Sequence, residues 1–136
     1  MDLNFPQAEE AVIGAILIDG DEVLPALAET LRAEDFSDAT LRHLFEAARE
    51  LWLSQKPVDP VTIGAAAGAA EEYGQVAAAI MARTPTAANA VEYAGIVRRQ
   101  AQLRTLNRIG LALSQCREIG EARTLLSRAA ASSARR

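Results

Sequence analysis

The chain reads as an all-α protein: a compact helical head followed by a long-helix antiparallel hairpin. Three observations predict this. Apolar residues recur at three- and four-residue spacing in nearly every segment, the signature of helices buried on one face. The β-branched residues never alternate with polar ones over a strand length. Residues 86–116 run without a proline for about nine turns, far longer than an ordinary helix. At 136 residues, half of them apolar, the chain is one domain with enough material for a real core. The head is expected over residues 1–95 and the hairpin, running into a linker, over residues 96–136.

Phe5 and Pro6 form an extended lead-in. Ala8, Val12, Ile13, Ile16 and Leu17 then share one helical face, with Glu9 and Glu10 in the first turn, where the helix dipole favours acids. Asp19, Gly20 and Asp21 stop this helix. A second, over Val23 to Leu31, tolerates Pro25 only in its first turn. Ser37 or Asp38 caps a third helix, whose stripe is Leu41, Leu44, Phe45, Ala48, Leu51 and Trp52. Lys56 and Pro57 end it. Asp59 is a good N-cap, with Pro60 at the first helical position of a short helix weakened by Gly64 and Gly68. Glu71 to Gly74 reads as a turn or frayed helix, and Val76 to Ala82 as another short helix.

The stretch from Thr84 to Cys116 organises the rest. Thr84 or Thr86 is placed to cap it, and Val91, Ala94, Val97 and Ala101 keep core spacing. Leu103, Leu106, Gly110 and Leu113 then run three, four, three, a heptad-like seam. A globular helix averages about 11–12 residues, so one of roughly 30 must cross a whole domain or project toward a partner. Gly110 lacks a Cβ and lets another helix approach. Leu103, Leu106, Ile109, Gly110 and Leu113 are therefore the candidate oligomer interface, with Arg104 and Arg108 at its rim. The competing reading packs these leucines on the domain's own last helix. Gly120 is placed to end the long helix, and Glu121 to Ala131 returns antiparallel, with Ser132 to Arg136 frayed.

The net charge of −4 hides a polarity. Residues 1–82 carry 15 acids and 4 bases, a net of −11; residues 83–136 carry 3 acids and 10 bases, a net of +7. A basic tail suits an acidic partner or nucleic acid, but its arginines are spread along helices without aromatic residues to stack bases. Weak, non-specific DNA binding is the expectation. Cys116 stands alone on an apolar helix face, so no disulfide framework exists, which fits a reducing, cytoplasmic setting. No apolar run is long enough to span a bilayer, and no membrane partner is expected. His43 is the only histidine and has no ligating neighbours in sequence, so no metal site is expected. Neither a G-x-x-x-x-G-K-[ST] phosphate loop nor a G-x-S-x-G elbow is present, so no catalytic or cofactor residues are assigned.

Five blocks in order carry a family resemblance. QAEEAVIGAILI at 7–18 resembles the E-A-E-x-x-V-L-G-x-x-L opening of the N-terminal domain of DnaB-type replicative DNA helicases. Glu34-Asp35-Phe36 looks like its E-D-F, LRHLF at 41–45 its H-R-x-I-F, and KPVDPVT at 56–62 its P-V-D-L-V-T. Thr84 to Asn89, with Tyr93-Ala94 and Ile96-Val97-Arg98, is similar to T-P-S-A-A-N followed by Y-A-x-I-V-R. Leu41 and Gln7 depart from the pattern, and no RecA-like motor domain is present. The resemblance implies that hairpins pair, that pairs assemble as a trimer of dimers in a hexameric ring, and that the domain meets a DnaG-type primase or a helicase loader. ATP and Mg would then belong to the absent motor domain. A partner footprint over the hairpin and adjoining head would include Glu9, Glu10, Val76, Arg104 and Arg108. The rival readings are a freestanding adaptor on a helicase ring and a helicase-binding domain from the end of a primase.

With no phosphate loop, the purified chain should hydrolyse no ATP above buffer background in a phosphate-release assay. Turnover that disappears on mutating one of its own residues would overturn this.

Overall fold

A computed structural model describes residues 6–134, with side chains to residue 132. Among the described residues there are six α-helices and one 3-10 turn, and no strand. The helices are α1 (Pro6–Leu27), α2 (Ala39–Leu53), α3 (Pro60–Ala66), α4 (Ala70–Arg83), α5 (Ala90–Ser114) and α6 (Ile119–Ala134); the 3-10 turn spans Ala33–Asp35. The all-α head with a long-helix hairpin is the architecture expected. Phe5, Arg135 and Arg136 lie outside the described residues, and Pro6 starts α1 rather than an extended lead-in.

Helix α1 is the centre. Val12, Ile13 and Ile16 are completely buried, and α2, α4 and α5 all pack on it. Asp19 marks the expected break: its backbone (φ −148°, ψ 65°) leaves the helix, and the chain resumes helical geometry to Leu27. Two helical runs therefore meet at a kink at Asp19, as the break there implies, with Pro25 inside the second run. Phe36 and Phe45, with ring centroids 4.9 Å apart, fill the space between the 3-10 turn and α2.

Local signals set most boundaries. The Asp38 carboxylate accepts the Leu41 N–H and caps α2. Asp59 caps α3 by accepting from Val61 and Thr62, while the Thr62 hydroxyl accepts the Asp59 N–H, a reciprocal capping box ahead of which Pro60 loses nothing. The C-terminus of α2 closes as a Schellman motif: Gln55 N–H donates to Trp52 O and Lys56 N–H to Leu51 O. Gln55 takes φ +59° to do so, in a position that favours glycine.

Two glycines permit close helix contacts. A Cβ on Gly14 would lie 1.8 Å from Thr84 Oγ1, so α1 can touch the end of α4 only without a side chain there. A Cβ on Gly64 would meet Ala70 O at 2.6 Å and Gly74 N at 2.8 Å. Gly64, expected only to weaken α3, is what lets α3 lie against α4.

Several boundaries differ from expectation. Helix α4 runs unbroken from Ala70, absorbing the supposed turn at Glu71 to Gly74. Helix α5 begins at Ala90 rather than at Thr86: the Thr84 hydroxyl donates to Ile80 O at the end of α4, and Thr86 holds the Ala88 N–H in the connection. Val91 is 63% exposed; the buried stripe is Ala90, Ala94, Val97 and Ala101. The long helix stops at Ser114, with Gln115 as its C-cap, so Gly120 lies inside α6 and Cys116 in the connection. Helix α6 continues through Ser132 to Ala134 instead of fraying at Ser132.

Replacing Gln55 with glycine should relieve the left-handed backbone while keeping both capping bonds. Gln55→Gly is expected to raise stability by about 1 kcal/mol, measured by urea unfolding. An unchanged or lower midpoint would show that Gln55 is not strained.

Candidate interaction surface

The hairpin changes environment halfway along α5. In its first half Ala90, Ala94, Val97 and Ala101 are buried on the head. In its second half α6 is the helix packed against it. There Leu106, Ile109 and Leu113 are half-buried, while Leu103 is 42% and Leu111 62% exposed. Leu103, Asn107, Gly110, Leu111 and Ser114 are exposed and spaced as one helical face, with exposed Arg108 at its flank. The seam predicted from sequence is therefore divided. Leu106, Ile109 and Leu113 turn partly toward the chain's own fold, as the competing reading had it, while Leu103 and Gly110 stay outward. Nothing within 4 Å faces Gly110, so this glycine leaves an open notch beside Leu111.

Sequence spacing missed Leu111 and Ile119 (72% exposed), and it grouped Leu126 with Leu125 and Ala129 on one side of α6, whereas Leu126 is 54% exposed. Ile119, Arg123 and Leu126 follow at i, i+4 and i+7, so they share a face. That period is legible, but Gly120 reads as a helix terminator, which hides Ile119 from it. On the other side of α6, Ala122, Leu125, Ala129 and Ser132 are half-buried.

The five candidate partner residues do not form one surface. Glu9 is 1% exposed and cannot meet a partner in this structure. Its Oε1 accepts the Ser37 N–H at 2.8 Å and the Asp38 N–H at 3.2 Å, and its Oε2 accepts the Ser37 hydroxyl. A first-turn acid looks solvated in sequence, but this one fixes the loop before α2. Glu10 remains near the surface, where its carboxylate meets the Arg83 guanidinium, Nε at 2.8 Å and Nη2 at 2.6 Å. Val76 is half-buried against the core. Arg104 is not a free rim charge: its Nη2 donates to Asp35 O at 2.8 Å, tying α5 to the 3-10 turn. Arg108 is exposed, with one long bond to the Thr105 hydroxyl at 3.3 Å.

Other features are structural. His43 Nδ1 lies 3.0 Å from the Tyr73 hydroxyl, with the two rings edge to face. No cluster of His, Cys, Asp and Glu suited to a metal occurs among the described residues. Burial first, then the neighbouring Glu121 carboxylate, pushes the Cys116 thiol pKa above its ordinary value, which disfavours thiolate chemistry. The cleft beside the 3-10 turn interleaves Arg32, Arg42, Arg49 and Arg108 with Glu29, Glu34 and Glu46, leaving little net charge. No described helix is long and apolar enough to cross a membrane.

The arrangement defines a helical head bearing a hairpin with an outward apolar stripe. Residues 2–99 match the family model described as DnaB-like helicase N terminal domain, and the chain belongs to that family. The chain is 34% identical over 114 residues to the replicative DNA helicase DnaB of Geobacillus stearothermophilus, covering 80% of this chain and 25% of that protein. It is 35% identical over 109 residues to the DnaB of Haemophilus influenzae, covering 76% and 23%. The chain thus spans about a quarter of the length of these curated relatives. Its structure resembles the N-terminal domain of DnaB helicase from Mycobacterium tuberculosis, with a TM-score of 0.78 and 28% identity over 97% of this chain and 98% of that one.

Removing the buried carboxylate of Glu9 strands three donors. Glu9→Ala should cost about 3 kcal/mol or more by urea unfolding, because hydrogen bonds to a charged group count more than neutral ones. A loss no larger than that of an exposed glutamate such as Glu72 would remove Glu9 from its structural role.

Proposed function

We propose that this chain is the N-terminal interaction and oligomerisation domain of a replicative DNA helicase. Hairpins of two copies pair, the pairs help organise a hexameric ring as a trimer of dimers, and the domain presents a surface to a primase or helicase loader. The head over residues 1–95 and the hairpin over residues 96–136, two parts of one domain, would serve these roles. The chain itself would carry no cofactor; ATP and Mg²⁺ would serve a motor domain in the larger protein, which would act in the cytoplasm.

The observation that carries the reading is that Leu103 and Leu111 are left outward on the hairpin of a chain whose fold matches the N-terminal domain of DnaB helicase. Leu103 and Leu111 stand about two turns apart on one exposed helical face, a spacing a second helix can cover, and the notch at Gly110 lets that helix come near. The matched relatives are helicases, which favours this reading over a primase end domain. A protein partner is favoured over DNA because the head is strongly acidic and Arg104 is already engaged with Asp35 O. Six to ten phosphate contacts would also lose roughly 10³–10⁵ in affinity between 50 and 200 mM salt.

The wild-type chain should self-associate at high micromolar concentration in sedimentation velocity. Leu111→Glu should weaken this at least about tenfold, or 1.4 kcal/mol, with an unchanged helical spectrum. Leu111 is the cleaner probe than Leu106, whose half-buried side chain also serves the fold. A wild type that stays monomeric would sink hairpin pairing. In a parallel titration at about 150 mM salt, the C-terminal domain of a cognate primase should bind at micromolar affinity or better while labelled DNA does not. The opposite pattern would make this a DNA-binding domain.

A further inference from the structure

Away from the hairpin, the kink of α1 and the start of α5 enclose an open groove of about 770 Å³. Two of the molecule's exposed large apolar side chains line it, Ile18 (40%) and Val91 (63%), with Val23 and Ala26 beside them. Asp19 and Glu22 also line it, and no basic residue does. Neither carboxylate has a hydrogen-bond or ion-pair partner among the described residues. Asp19 is also the residue at which α1 leaves helical geometry.

The geometry points to this groove as a docking site for a basic amphipathic helix of another protein, laying apolar side chains on Ile18 and Val91 and placing an arginine or lysine against Asp19 and Glu22. Apolar contacts between helix and groove supply affinity in such a mode, and opposite charge fixes orientation and rejects wrong partners. The acidic lining excludes nucleic acid, whose phosphates it repels. A second copy is a poorer occupant: its basic amphipathic helix is α6, which flanks the stripe assigned above to hairpin pairing. The groove is open rather than enclosed, which suits a peptide segment more than a small molecule.

This proposal rests on the reading of the chain as an interaction domain, but its failure is separable from failure of hairpin pairing, which sedimentation of Leu111→Glu reports alone. The test uses that pairing-deficient full chain, labelled with ¹⁵N, and two synthetic three-turn amphipathic peptides. One carries leucines on one face with arginines flanking them; the other replaces each arginine with glutamate. The arginine peptide should move the amide signals of Ile18, Glu22 and Val91 and saturate. Asp19→Lys combined with Glu22→Lys should weaken it at least tenfold, as should Val91→Ser, whose exposed position leaves the fold intact. The glutamate peptide should leave these signals in place. Equal responses to both peptides, shifts centred on other acids such as Glu71 and Glu72, or groove shifts that grow with protein concentration alone would each overturn the proposal.

Discussion

The buried carboxylate of Glu9 is the interaction on which the relation between head and hairpin depends. A charge at 1% exposure is tolerated only when its oxygens are satisfied, and here the Ser37 N–H, the Ser37 hydroxyl and the Asp38 N–H satisfy them. That set of bonds pins the chain between the 3-10 turn and α2 onto the first turn of α1. One residue upstream, the carbonyl of Phe36 accepts from Arg42 of α2, and the carbonyl of Asp35 accepts from Arg104 of α5. Four consecutive residues, Asp35 to Asp38, are thus held from three different helices. Arg104 lies just past Ala101, the last buried position of α5 on the head, so the bond is made where α5 departs from the core. The direction of the hairpin is set through a loop that Glu9 holds rigid.

The head was legible in the sequence to the extent that its signals are local. Asp38, Asp59 and Pro60 act within three residues of themselves, and the structure uses each as capping chemistry predicts. The stripes of α1 and α2 follow from periodicity because a helix buried on one side must repeat every three or four residues. Signals that depend on distant partners were not legible. Gly64 looks like a helix weakener until Ala70 O and Gly74 come within reach of its missing Cβ. Gly14 looks like any small residue until it meets Thr84, 70 positions away in sequence.

The site was less legible than the fold, for a reason peculiar to long amphipathic helices. Val91, Ala94, Val97 and Ala101 fit core spacing, but so do Ala90, Ala94, Val97 and Ala101, and hydrophobicity favours the wrong first member. In the structure Ala90 takes the buried position at 4% exposure. The larger Val91 was turned out, toward the groove beside α1. Similarly, Leu106, Leu111 and Leu113 are indistinguishable by type. Which of them faces α6 and which faces solvent is decided by the connection at Gln115 to Glu118, which sets where α6 lies against α5.

Charge polarity takes on a different meaning once its members are placed. Of the acids behind the head's −11, Glu9 and Asp35 are buried and hydrogen-bonded, and Glu10 is spent on Arg83. On the tail side, Arg104 is engaged with the head's own backbone. The interior and the local contacts absorb these charges, so net charge by segment overstates what each surface offers. What remains matters more for recognition. Asp19 and Glu22 face a groove without a base, and Arg123 sits between Ile119 and Leu126 on an exposed face of α6. Each pairs a charge with uncovered apolar side chains, the combination that gives a contact both strength and orientation. The two surfaces lie on different elements and carry opposite signs, so the proposed contacts with a second copy and with a basic partner would not compete for the same residues.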